Sequence, residues 1–450
     1  MQAAATVIAF EGLTKFDRDG RPQAGLAESW SEAPDGLSWR IHLRPSVRFH
    51  DGKLLDVGTV VDLLRQQLPQ RLGPAGVDIL EIAAAGDRDV LIRLNARSAF
   101  VPEALEILVE EPNRPDIGTG PFRISSSSSS GLEMAAHQQY YLGAPQIDRI
   151  AFKPYASLRA AWADMMRGQV DMLYDVGADA LELLRPASNV RVFEFRQEYA
   201  YIVLLNARRV QFRDKRIRAG LNAAIDRDKL IADVFDGHGV PASGPISPEH
   251  WAYDRHLPMF RYSATTAAKA LGAAAADPAA RPAGQSKIRF TCLFADAMQE
   301  RLALSVQQQL QAFGIEMNLE MLSIDEFQKK FTSGNFDAVL LNALSGPSLL
   351  RLYQWWHSDA PFNFGGYHSD AVDASLDSIR HAPDDAAYKT GVAAFDRAMI
   401  EDPPAIFLTW SERARAISNR FDVVPNPNGD VLKTLRLWRP VTDETRARRN

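Results

Sequence analysis

Two histidines and a short glycine motif are the first residues in this sequence whose chemistry could support metal or cofactor binding. His250 and His256 flank Trp251–Asp254. This spacing matches neither the i, i+4 pair of a helix nor a known zinc-ligand pattern. The segment Gly237–Ala242 fits GxGxxA, but it follows a predicted helix instead of a strand, which argues against a dinucleotide site. We therefore interpret the histidines as loop residues and expect no metal and no cofactor.

The remaining candidates for catalysis have structural explanations. Cys292 is the single cysteine, so no internal disulfide can form, and it lies in an apolar strand-like run that predicts a buried, inert thiol. His50 and Asp51 precede Gly52 in a predicted turn, where turn propensity alone explains the aspartate. The sequence contains no HExxH, GxSxG, Walker or EF-hand motif. Together these features predict a binding protein and not an enzyme.

Aromatic side chains offer a second kind of chemistry, because ligand pockets are often lined by stacking surfaces. Two groups fit this description: Tyr353, Trp355 and Trp356 after a polar loop, and Trp410 with Arg413 after an apolar run. Both groups could equally pack into the core of an amphipathic helix or a strand. The sequence leaves the two interpretations open.

Length and charge bound the class of protein. A chain of 450 residues predicts two or three lobes, since single cores stop growing near ~250–300 residues. The net charge of -5, from 51 basic and 56 acidic residues, gives no general attraction to nucleic acid. The N-terminal residues lack the basic start and long apolar core of a secretory signal, so we expect either a cytoplasmic protein or a mature chain.

Hydrophobic periodicity predicts the elements that must position these residues. Strict alternation over 37–43 predicts a half-buried strand, and the apolar run 199–206 predicts a strand buried on both faces. A β–α–β unit is predicted from strand 287–294, helix 297–313 and strand 315–322. Strands alternating with helices predict α/β lobes with mainly parallel sheets.

Shorter segments give further expectations. A helix should begin near Asp56, which is a suitable N-cap, and another should span 101–109. The serine run Ser125–Ser130 predicts a hairpin tip, 168–172 the start of a short strand, and 277–285 a loop.

Several sequence blocks, in order along the chain, carry a resemblance to a known family. They are LAESW at 26–30, DGLSWRIHLR at 35–44, VRFHDG at 47–52, GTGPF at 118–122, YYLGAPQID at 140–148, GQVD at 168–171, Asn206, and RDKRIRAGLNAAIDR at 213–227. The chain thereby resembles the family 5 extracellular solute-binding proteins, which are the dipeptide, oligopeptide and nickel binders of ABC importers. The blocks extend over most of the chain.

The resemblance implies an architecture. It predicts an α/β fold of the two-lobe periplasmic-binding-protein type (class II, large cluster with an extra subdomain), with mixed sheets and a hinged cleft. Lobe I would span 1–198 with a small inserted subdomain at about 45–150, lobe II would span 199–409, the chain would return to lobe I over 410–440, and 441–450 would form a tail.

The resemblance also implies a function. The chain would capture a small organic solute in a closing cleft and deliver it to the membrane subunits of an ABC permease. We expect a periplasmic or extracytoplasmic location, a monomer, and no nucleic-acid partner. The candidate ligand contacts, each beside a predicted strand end or crossover, are Phe10, Glu11, Asn206, Trp251, Asn342, Ser345, Tyr353, Trp355, Trp356, Trp410 and Arg413.

Departures from the family pattern leave alternatives open. Peptide-binding members usually carry an aspartate for the peptide amine in the loop that corresponds to Asn342–Ser348, and this loop has no carboxylate. The solute could therefore be peptide-like, as in the family at large, or a non-peptide such as a sugar or an opine-like compound. The family's first strand is missing and the segment between Leu68 and Gly118 is short. A cytoplasmic ligand-sensing domain of a regulator is a second alternative.

Overall fold

The helices and strands below come from a computed structural model, which describes residues 2–17, 19–112, 114–177, 181, 184–257, 259–276, 287–344, 346–426 and 429–441. The α-helices of these residues are α1 (Gln2–Ala9), α2 (Val57–Leu72), α3 (Val101–Ala104), α4 (Leu158–Met166), α5 (Val210–Arg213), α6 (Lys215–Ala223), α7 (Arg227–Phe235), α8 (Ala264–Ala276), α9 (Ala297–Gln311), α10 (Ile324–Thr332), α11 (Leu349–Trp356), α12 (Asp370–Arg380) and α13 (Asp385–Glu401). Two 3₁₀ helices span Gly73–Asp78 and Val431–Leu437. Among the residues described, no helix combines the length and apolarity needed to cross a bilayer.

Strands of the described residues form five sheets. The strands are β1 (Thr14–Phe16), β2 (Pro22–Ala24), β3 (Ala27–Glu32), β4 (Ser38–Leu43), β5 (Ile79–Ala84), β6 (Asp89–Leu94), β7 (Phe122–Ser128), β8 (Gly131–Ala136), β9 (Arg149–Phe152), β10 (Met172–Val176), β11 (Val190–Leu205), β12 (Gly239–Pro241), β13 (Arg289–Phe294), β14 (Glu316–Met321), β15 (Ala338–Leu344), β16 (Ala405–Ser418), β17 (Phe421–Asp422) and β18 (Arg439–Pro440). The sheet orders are β1–β2, β3–β4–β6–β5, β7–β8–β9, β17–β18, and a seven-stranded sheet β10–β16–β11–β15–β13–β14 in which β12 also pairs with β16.

Two long antiparallel strands organise the seven-stranded sheet. The first half of β11 pairs with the second half of β16 beside β10, whereas its second half lies between β16 and β15. Parallel pairing joins β13 to β14 and to β15, as the predicted β–α–β unit requires. The prediction of mainly parallel sheets is nevertheless wrong, because the other pairs of this sheet are antiparallel.

The hydrophobic core continues across the fold. One cluster of buried side chains runs from the β3–β6 sheet and α2, through one face of the seven-stranded sheet, to helices α11–α13. The opposite face of that sheet packs on α6, α7 and α9 in a second cluster, which includes the buried Cys292. Burial raises the pKa of the Cys292 thiol. Smaller clusters lie under β7–β9 and around α4.

Several local predictions are confirmed. β4 buries Trp39, Ile41 and Leu43, although Leu37, just before the strand, is exposed. Asp56 caps α2, its side chain accepting a hydrogen bond from the Thr59 N–H at 2.7 Å. The β7–β8 hairpin turns within the serine run, but β7 itself continues to Ser128. The predicted loop 277–285 lies outside the described residues.

Two local predictions are wrong. The segment 101–109 is helical only to Ala104, because Leu105, Ile107 and Val109 are buried in alternation, the period of extended backbone. A bond from the Val109 N–H to the Glu11 carbonyl fixes that extended course. The strand predicted at 168–172 begins only at Met172, since Gly168 adopts φ +72° in the turn after α4.

A buried arginine joins α7 to the seven-stranded sheet. The Arg227 side chain donates hydrogen bonds to the carbonyl oxygens of Ala242, Phe407, Asn222 and Ile225. The Asn222 side chain accepts one bond from the Phe407 N–H and another from Arg227. Burial lowers the pKa of Arg227 to about 10. The Asp–Arg pair at 226–227, part of the family motif, therefore serves the fold: Asp226 caps α7 and Arg227 satisfies buried carbonyls.

Replacing this arginine should destabilise the protein. Arg227→Met leaves several buried carbonyl oxygens without donors, so we expect a loss of about 3 kcal/mol in the free energy of unfolding. Urea denaturation followed by circular dichroism measures it. Arg93→Met is the control, because the Arg93 side chain forms an exposed ion pair with Glu81, and it should change stability by less than about 0.5 kcal/mol. Equal effects of the two substitutions would contradict the assignment.

Candidate functional site

The seven-stranded sheet changes register where β11 passes from one half of the sheet to the other. Arg196 is opposite Glu412 in β16, and the next paired residue of β11 is Ala200, opposite Trp410. The intervening residues of β11 outnumber those of β16, so this stretch is a bulge. Bulges re-aim side chains and interrupt pairing, and polar groups gather at this one.

A set of polar side chains surrounds the bulge, which we call the crossover cluster: Asp175, Tyr201, Asp296, Asn342, Ser411 and Arg413. The Tyr201 hydroxyl lies within electrostatic reach of Ser411, Arg413, Asp296 and Asp175. Burial raises the pKa of Tyr201, so the phenol stays protonated at neutral pH. Arg413 forms an ion pair with Asp175. Asn342 is the β15 partner of Tyr201.

The elements explain why these residues meet. Asp296 follows β13 and caps α9, its side chain accepting a bond from the Gln299 N–H at 2.8 Å. Asn342 lies near the end of β15, which is parallel to β13. Side chains at the carboxyl ends of parallel strands lie at one edge of a sheet, where α/β proteins bind ligands. β10 and β16 bring Asp175, Ser411 and Arg413 to that edge from the other half of the sheet.

Three buried polar atoms at the crossover have no hydrogen-bond partner among the described residues: Arg196 Nε, Gln197 Oε1 and Asn342 Oδ1. Arg196 does reach Glu249 at 2.7 Å and Glu412 at 3.7 Å through its terminal nitrogens. Buried polar groups are normally hydrogen-bonded, so unpaired ones mark a place where another group can bind. The crossover thus offers a guanidinium, two carboxylates, hydroxyls and amides for orienting a polar solute.

Only two of the sequence-predicted contacts, Asn342 and Arg413, are in the crossover cluster. Trp410 is buried on the other face of β16, beside Val240 of β12. Ser345 lies outside the described residues. Tyr201, Asp175, Asp296 and Ser411 were not predicted.

The predicted residues at the start of the chain, Phe10 and Glu11, lie away from the crossover cluster and contact other protein side chains. The Glu11 carboxylate accepts hydrogen bonds from Tyr140 at 2.7 Å, Tyr141 at 3.0 Å and Thr119 at 3.1 Å. Burial raises the pKa of Glu11, and these donors oppose that rise. Phe10 packs beside the β7–β9 core. With its carboxylate occupied by three protein donors, Glu11 is placed to hold α1 against the chain around 119–141.

Aromatic residues of α11 pack in the core. Tyr353 and Trp356 are buried, and the Tyr353 ring stacks on His357 with ring centres 4.7 Å apart. Trp355 is half-buried against Phe331. The sequence left open whether these residues line a pocket or pack in the core, and the packing of Tyr353 and Trp356 agrees with the core interpretation.

Asn206 is also committed to the protein backbone. Its side-chain nitrogen donates to the carbonyls of Gly334 at 3.1 Å and Phe336 at 2.8 Å, and its oxygen accepts from the Arg208 N–H. The residue is buried at the end of β11. These three bonds use both the amide nitrogen and the amide oxygen. The prediction that Asn206 contacts a ligand stays a prediction.

Trp251 lies where the β1–β2 turn meets a distant loop. Its backbone N–H donates to the Asp19 carbonyl at 2.9 Å. The Arg21 guanidinium lies 3.9 Å from the centre of the Trp251 ring, and the Tyr388 ring stacks on it with centroids 5.0 Å apart. An open cavity of ≈ 440 Å³ adjoins it, lined by Trp251, Ala252, Tyr253, Asp254, Lys389, Thr390, Ala393 and Arg397. The ring is already in contact with Arg21 and Tyr388.

His250, next to Trp251, is buried and neutral. Its Nδ1 accepts a hydrogen bond from the Ala252 N–H at 3.2 Å. Burial, with a contribution from the positive charge of Arg21, lowers its pKa to about 3. His256 is exposed, and within the described residues no three His, Cys, Asp or Glu side chains are grouped to hold a metal ion.

Comparison with known proteins gives one consistent result. The family described as bacterial extracellular solute-binding proteins, family 5, middle region, matches residues 21–363. The oligopeptide-binding protein AppA of Bacillus subtilis (strain 168) is 25% identical over 466 residues, covering 95% of this chain and 85% of AppA.

Solved structures share the two-lobe α/β architecture. AppA from Bacillus subtilis in complex with a nonapeptide has a TM-score of 0.82 at 22% identity, covering 98% of this chain and 94% of its own. NikZ from Campylobacter jejuni in complex with Ni(L-His) has a TM-score of 0.81 at 20% identity, covering 96% and 94%. AgaA from A. tumefaciens R10 in complex with agropinic acid has a TM-score of 0.79 at 19% identity, covering 98% and 94%. At these identities the likeness concerns the fold alone.

Acid should destabilise the protein in part through His250. The folded side chain binds a proton only near pH 3 and the unfolded one near pH 6.5, so the unfolded state binds more protons as the pH falls between these values. His250 should therefore remove about 2 kcal/mol of unfolding free energy between pH 7 and pH 5. His250→Asn keeps an acceptor for the Ala252 N–H but cannot titrate. Urea unfolding at both pH values should show a smaller loss in this variant, whereas exposed His256→Asn should match the wild type; equal losses in all three would refute the assignment.

Proposed function

The chain belongs to the family 5 bacterial extracellular solute-binding proteins, and we propose that it captures a small organic solute at the crossover cluster and presents it to an ABC permease. In this role the protein works outside the cytoplasm, as a monomer, and converts no substrate. The observation that carries the proposal is the set of unpaired buried polar atoms at the bulge, including Asn342 Oδ1, beside the charged residues Arg413, Asp175 and Asp296.

Capture requires that the solute touch both halves of the seven-stranded sheet. Tyr201, Asn342 and Asp296 belong to the half built on β13–β15, and Asp175 and Arg413 to the half that includes β10. A ligand that contacts both sides binds the closed form more tightly than the open one and shifts the population toward closure. This mechanism needs no chemical step, in keeping with the absence of a recognised catalytic motif in the sequence.

The Arg413 guanidinium is the group at the site that can bind a solute carboxylate. Arg413 is partly exposed, at 31% of its side chain, and its ion pair with Asp175 can exchange for one with a ligand anion. Asn342 Oδ1 would accept a bond from a neutral N–H or O–H. A peptide supplies both groups, and the relative AppA is named as an oligopeptide binder.

A non-peptide acid is the second candidate. The loop 342–348 contains no carboxylate to bind a peptide ammonium group. An opine-like or sugar-acid solute has a carboxylate and hydroxyls and does not need a protein carboxylate in this segment. AgaA, which shares this fold, is complexed with agropinic acid.

A solute panel distinguishes the candidates. Native mass spectrometry of the purified protein should reveal a bound small molecule, and thermal shift should be measured with di- to pentapeptides, neutral sugars and opine-type acids. Stabilisation by acids of either class supports the proposal. Stabilisation by peptides alone selects the first candidate, and a response to neutral sugars alone, or to none of these compounds, would overturn the carboxylate assignment.

Removing the guanidinium should weaken binding without weakening the fold. Arg413→Met is expected to lower the affinity for the stabilising acid about tenfold or more, because a charge-assisted hydrogen bond is lost. Its ion pair is partly exposed, so unfolding free energy should change by less than about 1 kcal/mol. Calorimetric titration measures the affinity. Arg216→Met, which removes an exposed arginine paired with Asp214, should leave binding unchanged.

A further inference from the structure

A fully buried carboxylate joins the N-terminal part of the chain to the start of α11. Glu103 in α3 accepts hydrogen bonds from the Ser348 hydroxyl at 2.7 Å, the Leu350 N–H at 3.0 Å and the Tyr388 hydroxyl at 2.8 Å. Ser348 is the N-cap of α11 and Leu350 is in its first turn. An anion at this position satisfies backbone N–H groups that a helix leaves unpaired and interacts favourably with its dipole.

Further charge pairs follow the same interface. Glu106 binds Arg351 at 2.6 Å, and Asp78 is paired with Arg380. Arg21 reaches Asp385 at 2.8 Å. In each pair one partner comes from residues 12–112 and the other from 346–388. Apolar contact accompanies the charges, as in the edge-to-face packing of Phe100 on Tyr353 at 5.5 Å.

This interface combines polar contacts with buried apolar contacts. In the proposed division near residue 199, Glu103 belongs to lobe I and α11 to lobe II, so the contact spans the cleft. Interfaces between moving domains are more polar than permanent cores. When the lobes separate, Glu103 would be an ordinary hydrated carboxylate. When they are in contact, burial raises the pKa of Glu103, and the surrounding donors oppose that rise.

The contact also adjoins the solute. Helix α11 begins directly after the segment 342–348, which includes Asn342 of the crossover cluster near the end of β15. Fixing Ser348 and Leu350 therefore fixes the far end of that segment. Gly346, at φ +47°, leaves little space beside the Arg351 side chain.

We propose that Glu103 is a positioning residue that acts as a closing clasp, engaging the N-terminus of α11 when the lobes close and thereby setting the solute-binding loop. The inference rests on the proposed function, since it assigns the loop 342–348 to the solute. In this proposal Glu103 does not touch the solute, but it determines what fraction of the protein is in the binding-competent form. Because affinity scales with that fraction, weakening the clasp weakens binding.

Distance measurements without solute test the clasp. Asp87→Cys on the β5–β6 turn and Lys329→Cys on α10 give two exposed label sites, and the native Cys292 is buried and will not react. Electron spin resonance should find two distances in the otherwise wild-type protein, a shorter one from the closed form and a longer one from the open form. Glu103→Gln removes the negative charge and places an amide NH₂ group, itself a donor, against the three donors that bind the carboxylate. We expect this substitution to raise the ratio of longer to shorter distances about tenfold.

Controls keep the result specific. Glu111→Gln removes a similarly buried carboxylate that is bound by Lys53 at 3.0 Å, and it should leave the distance unchanged. Ser348→Ala, a smaller change, should shift the ratio in the same direction by less. Hydrogen exchange of a peptide covering 346–356 should be faster in Glu103→Gln and not in Glu111→Gln.

The outcomes separate this inference from the proposed function. An unchanged distance in Glu103→Gln, or equal opening in Glu111→Gln, overturns the clasp whatever the exchange rates, even if the solute panel succeeds. Opening in Glu103→Gln and Ser348→Ala alone supports the clasp even if no compound in the panel binds. If Glu103→Gln fails to fold, Ser348→Ala with the same labels decides.

Discussion

The pairing of β11 with β16 constrains the whole molecule. With 16 and 14 residues, at ~3.3 Å each, these strands run through both halves of the seven-stranded sheet. The halves therefore cannot slide past one another without breaking main-chain hydrogen bonds. Bending is easiest where the ladder is already interrupted, between Arg196 and Ala200. The crossover cluster lies at that point, so any relative motion of the halves must change the distances within it.

Buried polar groups serve two different ends in this protein. Arg227 and Glu103 are surrounded by complementary partners, and removing either leaves buried groups unpaired. Asn342 Oδ1 and Gln197 Oε1 are buried with no partner in the described part of the chain. Groups of the first kind fix the arrangement of helices and strands. Groups of the second kind can form a hydrogen bond with an incoming group, and that bond would favour its binding. The distinction depends on the neighbours of each residue and not on its type.

The sequence predicted the local elements and the family better than the site. Alternating apolar residues predicted β4, a capping aspartate predicted the start of α2, and the spacing of apolar residues predicted the β–α–β unit. Each of these signals is contained within a few residues. The pairing of β11 with β16, which are about 200 residues apart, leaves no such local signal, and so the sheet was wrongly expected to be mainly parallel.

Site residues illustrate the same limit. Tyr201, Asp175 and Asp296 come from three distant segments, and only the folded sheet brings them together. The aromatic residues of α11 were candidates because of their type, yet Tyr353 and Trp356 are in the core. Leu105 and Ile107 could belong to a helix or a strand in a short window, and the neighbouring backbone decides between them.

The outermost strand of the large sheet bears on how the protein behaves in concentrated solution. Among the described strands, β14 pairs only with β13, so its other edge could template pairing with a second chain. Glu316 at its start is bound by Arg289 and Lys287, and Glu320 near its end by Lys330. A second chain pairing there would have to accommodate these charges and strip them of water. The ion pairs, which add little to stability, thus protect the strand against edge-to-edge aggregation.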